Sequence, residues 1–289
     1  MDQSAGDGLK PLDGVRVVSL AVNLPGPLAC ARLHVLGAEV VKVEPTAGDP
    51  LAAFTRAWYD ELARGQRIVT LDLKTGDGRA ALDGLLADAD LLVTATRPGA
   101  LGRLGLGWAE LHARHPRLCH LAIVGHAPPD EERAGHDLTY AAGAGLAAPP
   151  HPPPSLFVDL ASAERVVSDA LALLMARARD GAGRCATVAL GSIAEELAAP
   201  LRYGLTAAGA LLGGGAAVYG LYAAKEGWVA LAALEPAFAR RLAEALGVDS
   251  TDRGALEAAF LARTAAEWEA WARERDLPIA AVKGVSGAR

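Results

Sequence analysis

Over its first 125 residues the chain alternates short, β-branched apolar runs with segments of helical period, and that alternation leaves few folds open. VRVVSL (15–20), EVVKV (39–43), DLLVTA (90–95) and CHLAIV (119–124) have the length and composition of strands. Between them the pattern predicts a helix opening near Pro27, another over 78–89 and a short one over 108–114. Strand, helix, strand in succession builds a parallel sheet, so the expected fold is α/β: a Rossmann-like, doubly wound parallel sheet followed by a second, smaller α+β domain. No G-x-G-x-x-G follows the first strand, and Gly99, Gly102, Gly105 and Gly107 have neither the spacing nor the context of that fingerprint. An ordinary dinucleotide site is therefore not expected.

The run PPHPPP (149–154) reads as a stiff, extended connector, since proline cannot continue a helix or a central strand. Asp159 comes next, then a helical pattern over 161–179 closed by Gly181 and Gly183, then a strand ATVAL (186–190). Further on, GWVALAAL (227–234) alternates like a strand, while 236–247 and 264–276 have helical period. The expected division is a large domain over 1–200 and a small one over 201–289.

With 289 residues, 52% of them hydrophobic and 21% charged, a sizeable core is available. A net charge of −6 argues against nucleic acid as a partner, because phosphate binding needs a basic face. Cys30, Cys119 and Cys185 are odd in number and far apart, which fits a reducing compartment and a packing role better than disulfides. MDQSAGDGLK carries no secretory pattern, so a cytoplasmic location is expected. The uncharged window 205–224 has the length of a membrane span, but Gly213, Gly214, Gly215 and its alanines fit a buried loop and strand instead. In LHARHPRLCHL, His112, His115, Cys119 and His120 could suggest a metal, but a helix, a proline turn and a strand would scatter them, and no metal is expected.

Two proton-exchanging side chains, His136 and Asp137, stand in AGHDLTYAAGAGL (134–146) before a stretch of small residues. Small residues let main chain approach a bulky group closely. Alone, each candidate also has a plain structural reading. Asp159 sits where a helix N-cap would, His136 fits a hydrogen-bonded structural histidine, and Glu235-Pro236 fits a helix start.

Taken in order, several separated stretches resemble family III CoA-transferases, the group that also contains the α-methylacyl-CoA racemases. PLDGVRVVSLAVNLPGP with LGAEVVKVE resembles the family's first strand, helix and second strand; RGQRIVTLDLKTGDGRAAL and ATRPGALGRLGLGWAELHARHPRL resemble its next two blocks. GHDLTY and ALEPAF resemble the racemase branch in particular. The resemblance implies an intertwined homodimer with an active site between the two domains. It makes His136 one acid/base, Asp159 the opposite acid/base or a nucleophile, and Asp137 and Glu235 supporting carboxylates. Leu73, Lys74, Arg97 and Arg103 fall where the family holds CoA, which would be part of the substrate and not a tightly bound cofactor.

The implied chemistry is self-consistent. Inverting a carbon beside a thioester carbonyl needs one group to remove a proton and another to deliver one from the opposite side. The resulting enolate needs donors already in place. The sequence also departs from the pattern: Pro45 and Thr46 follow Glu44 where the family has an arginine, Thr94-Ala95-Thr96 replaces Glu-Asn-Phe, and Leu160, Ala161 and Ser162 replace glycines. Relatives are also longer between His136 and Asp159, between Pro200 and Gly213, and beyond the last residue here. Three functions follow in order of expectation: an acyl-CoA racemase or epimerase acting on 2-methylacyl thioesters, a CoA-transferase working through an Asp159 acyl anhydride, and a relative that has lost CoA chemistry or uses another carrier.

Overall fold

The structure, a computed structural model, describes residues 10–284. The chain forms two compact units whose division falls between Ala198 and Ala199.

The first unit runs β1 (Arg16–Ser19), α1 (Pro25–Val35), β2 (Glu39–Glu44), α2 (Pro50–Phe54), α3 (Arg56–Ala63), β3 (Arg67–Thr70), α4 (Gly76–Ala87), β4 (Leu91–Thr94), α5 (Pro98–Arg103), α6 (Trp108–Arg114), β5 (Cys119–Val124), α7 (Asp137–Gly143), α8 (Phe157–Asp180), β6 (Cys185–Ala189) and α9 (Leu190–Leu197). Its six strands make one parallel sheet in the order β3-β2-β1-β4-β5-β6. The central strands are buried on both faces, which is why LLVT and CHLAIV read as nearly unbroken apolar runs. Val17, Leu91, Val93 and Leu121 face α1, α3 and α8, while Val18, Val43 and Leu92 face α4, α5 and α6. This is the expected doubly wound sheet.

The order reverses direction at β1. From there β2 and β3 lie on one side and β4, β5 and β6 on the other, so the connections leaving β1 and β4 diverge and open a crevice beyond their carboxyl ends. One connection departs from the common pattern. Helix α8 packs on α1, on the same face, although β5 to β6 steps in the opposite direction from β1 to β2. The link therefore takes the opposite hand from the β1–α1–β2 unit, and the long passage through residues 125–156 and α7 gives it room to do so.

Several expectations are corrected. Strand β3 was not in the predicted set, because RIVT is a sheet edge with Arg67 and Thr70 exposed and so lacks the apolar signature of a buried strand. Helix α8 begins at Phe157, four residues ahead of the predicted 161, and Leu156 is its N-cap residue. Asp159 is thus inside the first turn and is not the cap. The proline run is no straight rod: Ala148 bridges His151, so the chain turns back across Pro149 and Pro150. Leu190 starts α9 instead of ending β6. Cys30 and Cys119 pack in the core, but Cys185 is exposed at the edge.

The second unit contains α10 (Ala199–Arg202), an irregular glycine turn over Leu211–Gly215, β7 (Tyr219–Ala223), β8 (Trp228–Ala232), α11 (Pro236–Leu246), α12 (Arg253–Phe260), α13 (Ala265–Arg273) and β9 (Ile279–Ala281). Its antiparallel sheet β7-β8-β9 and its helices close over Tyr222, Leu242, Phe260, Trp268 and Trp271. Thr264 and Glu267 start α13 by accepting each other's backbone N–H groups. The expected buried loop over 205–216 is instead largely exposed, Leu205 and Leu211 included. Among the described residues no helix is long and apolar enough to cross a membrane.

Candidate active site

The crevice at the reversal point is lined from five directions. Asn23 and Pro25 follow β1, Arg97 follows β4, Gly125 follows β5, and His136 and Asp159 come from the starts of α7 and α8. Every contributor lies at the carboxyl end of the sheet, where a parallel α/β sheet leaves room for a ligand.

Asp159 is the third residue of α8, and its carboxyl accepts no hydrogen bond from any described residue. Burial, with Asp137 beside it, pushes this carboxyl up to about 7. Asp137, only 5% exposed, opens α7 and is oriented by a clear task. Its Oδ1 accepts the backbone N–H of Asp159 at 2.9 Å. Leu156 has no side-chain oxygen with which to cap α8, so a carboxylate from the neighbouring helix satisfies one of its free N–H groups.

His136 is the N-cap residue of α7. Thr139 fixes its backbone, accepting the His136 N–H at 2.9 Å and donating to the His136 carbonyl at 2.8 Å. The imidazole itself is exposed and lines the crevice. The structure thus brings His136, Asp137 and Asp159 together as two crevice side chains and one support. Glu235 belongs to the second unit, where it is the exposed N-cap residue of α11, with no capping bond from its side chain.

The four expected CoA-binding positions separate. Arg97 lines the crevice, and its carbonyl accepts the Ala100 and Leu101 N–H groups that start α5. Arg103 is exposed at the last position of α5. Lys74 is exposed just after β3, and Leu73 is half-buried against the core beneath it. β3 and β4 are three strand spacings apart, so Lys74 and Arg97 mark out roughly 14 Å along one edge of the sheet.

Sequence reading missed a buried ionic cluster behind the crevice. Lys42 Nζ lies 2.8 Å from Glu44 Oε1 and 2.6 Å from Asp49 Oδ2, and the Tyr59 hydroxyl donates to Glu44 at 2.8 Å. Asp49 also accepts the backbone N–H of Asn23 at 2.9 Å, which holds the loop after β1 with Asn23 at φ 69°. The available signal was Lys42 and Glu44 two apart in a strand, hence on one face. Tyr140 and Arg133, which also line the crevice, were likewise not singled out.

The small residues after Tyr140 finish α7 and its turn, and Gly135, just before His136, packs where an added Cβ would strike the Tyr140 ring. The histidine cluster is dispersed. His112 packs against Trp108, His115 pairs with Asp83 at 3.0 Å, and His120, pushed down to about 4 by burial, bonds Thr94 at 3.0 Å. Among the described residues no three His, Cys, Asp or Glu side chains are grouped to hold a metal.

A crevice with a desolvated carboxylate and an imidazole can support either attack on an acyl carbonyl or proton transfer beside one. Comparison with known proteins narrows the setting. The chain is 34% identical over 198 residues to the succinyl-CoA–D-citramalate CoA-transferase of Chloroflexus aurantiacus, covering 63% of this chain and 49% of that one. It is 32% identical over 271 residues to the succinyl-CoA–L-malate CoA-transferase alpha subunit of the same organism, covering 82% and 61%. It therefore spans about half the length of the curated relatives it matches. The crystal structure of Rv3272 from Mycobacterium tuberculosis superposes with a TM-score of 0.83 at 29% identity, covering 96% of this chain and 85% of that one. The pattern of CoA-transferase family III matches residues 12–289, through the sheet, the crevice and the second unit alike, so the chain belongs to CoA-transferase family III.

Proposed function

We propose that this chain carries the acyl-transfer centre of a CoA-transferase, with Asp159 as its nucleophile. The observation that carries the reading is the free, desolvated Asp159 carboxyl in the crevice at the sheet's reversal point, pushed up to about 7. A carboxylate that basic is more nucleophilic than a solvated one and is still substantially ionised at neutral pH. Asp159 attacks the thioester carbonyl, giving an aspartyl-acyl anhydride and free CoA thiolate. The thiolate then attacks the aspartyl carbon, releasing the donor acid and leaving CoA on Asp159. An acceptor carboxylate reverses the two steps. The relatives named above are CoA-transferases, which favours this order of events over α-carbon inversion.

In this reading CoA is a substrate and not a resident cofactor; Arg97, Arg103 and Lys74 offer charge to its phosphates, and Leu73 offers apolar surface near Lys74. No nucleic acid or membrane partner is invoked. The active assembly is a homodimer, with Glu235 as a supporting carboxylate; solution scattering at micromolar protein reports the dimer, and a monomer that is fully active removes it from the account.

Racemisation is the second reading, supported by His136 and Asp159 lining one crevice. One assay separates the two. With an acyl-CoA donor, a free carboxylic acid acceptor and deuterated solvent, transfer moves CoA between acids without deuterium at the α-carbon, whereas racemisation introduces deuterium and needs no acceptor. Asp159→Ala abolishes CoA exchange in the transfer reading; full exchange in that variant contradicts it.

A further inference from the structure

Three tyrosines are buried among the described residues: Tyr59, Tyr140 and Tyr222. Two of them donate to protein acceptors, Tyr59 to Glu44 and Tyr222 to the Ala217 carbonyl. The Tyr140 hydroxyl has no hydrogen-bond partner among the described residues, although a buried tyrosine normally finds one. It lines the crevice with His136 and Asp159.

The ring is held tightly in that position. A Cβ at Gly135 would lie 2.3 Å from the ring edge, and a Cβ at Gly125 would lie 2.6 Å from the hydroxyl oxygen. His126 packs edge-on at 5.2 Å from the other direction. Two positions where a side chain would clash are thus both glycine, and the result is an immobilised O–H donor that faces the crevice and donates to no protein group among the described residues. Burial and the negative charge of Asp159 raise its pKa, while Arg97 draws it back, so the hydroxyl keeps its proton at neutral pH.

We infer that Tyr140 is a catalytic residue of this crevice, whose hydroxyl donates to the acyl carbonyl oxygen while Asp159 attacks the carbonyl carbon. The inference rests on the CoA-transfer reading. In the step, a bond forms between an Asp159 oxygen and the carbonyl carbon, and the carbonyl π pair moves onto oxygen. That oxyanion accepts the Tyr140 hydrogen bond, and its collapse restores the C=O and expels CoA thiolate. Tyr140 keeps its proton throughout. A donor fixed in advance costs no reorganisation when charge develops, which is where such groups act most strongly.

The test compares wild type with Tyr140→Phe, which keeps the packed ring and removes only the unpartnered hydroxyl. Single-turnover acylation of Asp159 is followed by mass spectrometry, alongside steady-state transfer and thermal unfolding. Expected are a loss in kcat of about 100- to 1,000-fold, KM within about threefold, and an unchanged unfolding midpoint. A wild type that never acylates Asp159 removes the CoA-transfer reading and this inference with it. A wild type that acylates, paired with a Tyr140→Phe variant that acylates equally fast, overturns the Tyr140 assignment alone. So does a variant with an unchanged plateau rate and a shifted pH midpoint, which would place the hydroxyl on Asp159 instead of on substrate.

Discussion

The backbone N–H of Asp159 donates to the Asp137 carboxylate at 2.9 Å, so the residue that caps α8 also places a second negative charge beside the crevice carboxyl. Burial is the larger cause of the raised Asp159 pKa and Asp137 the smaller. If Asp159 acts ionised, kcat/KM rises with pH through a midpoint near 7. Asp137→Asn keeps an oxygen to accept the N–H but removes the charge. Its pH profile is expected to shift toward the ordinary carboxylate range without reaching it; an unmoved midpoint would exclude Asp137 as a contributor.

The same shift predicts a stability effect of definite sign. Asp159 titrates near 7 when folded and near its ordinary value of 3.8 when unfolded. Between those values the folded protein holds the proton more tightly, so stability falls as pH rises through this window, and the full penalty is present above about pH 7. Asp159→Asn removes the ionisation. The variant is expected to be more stable than wild type at pH 8, by about 1–3 kcal/mol after allowance for partial exposure, and equal to it near pH 4. Urea unfolding at the two pH values checks this; a variant less stable at pH 8 would mean the carboxylate has a stabilising partner.

Much of the sheet was legible in the sequence because its central strands are buried on both faces. VRVVSL, EVVKV, DLLVTA and CHLAIV are dominated by buried, mostly β-branched or leucine residues, so their apolar runs gave them away, Lys42 being the buried exception that pairs with Glu44 and Asp49. The edge strand RIVT is not buried in this way, and its exposed Arg67 and Thr70 hid it. Asp159 looked like a helix cap because sequence periodicity dates α8 from its first apolar repeat, whereas the helix starts earlier, at Phe157, with Asp137 capping it from another element. No local pattern announces a cap supplied from 22 residues away. The position of Tyr140 is equally a property of the folded surroundings: GHDLTY names the tyrosine, but only the packing of Gly125 against its hydroxyl and of Gly135 against its ring shows how tightly it is held.

Binding of CoA is expected to be weak and sensitive to salt, because Lys74, Arg97 and Arg103 are all exposed and no arginine follows Glu44. Each charge-assisted phosphate contact contributes about 1.5–3 kcal/mol. Calorimetry should therefore show Arg97→Ala weakening CoA by about tenfold or more, with Lys74→Ala affecting CoA more than dephospho-CoA if Lys74 meets the 3′-phosphate. Equal affinities for wild type and both variants would remove these side chains from the coenzyme path.

The central claim is that Asp159 becomes covalently acylated. The most direct measurement is to incubate the protein with an acyl-CoA, quench with hydroxylamine, digest, and read the mass of the peptide that carries Asp159. The account predicts a hydroxamate on Asp159 that depends on acyl-CoA and is absent from Asp159→Asn. An unmodified Asp159 under conditions where CoA moves between acids would contradict it.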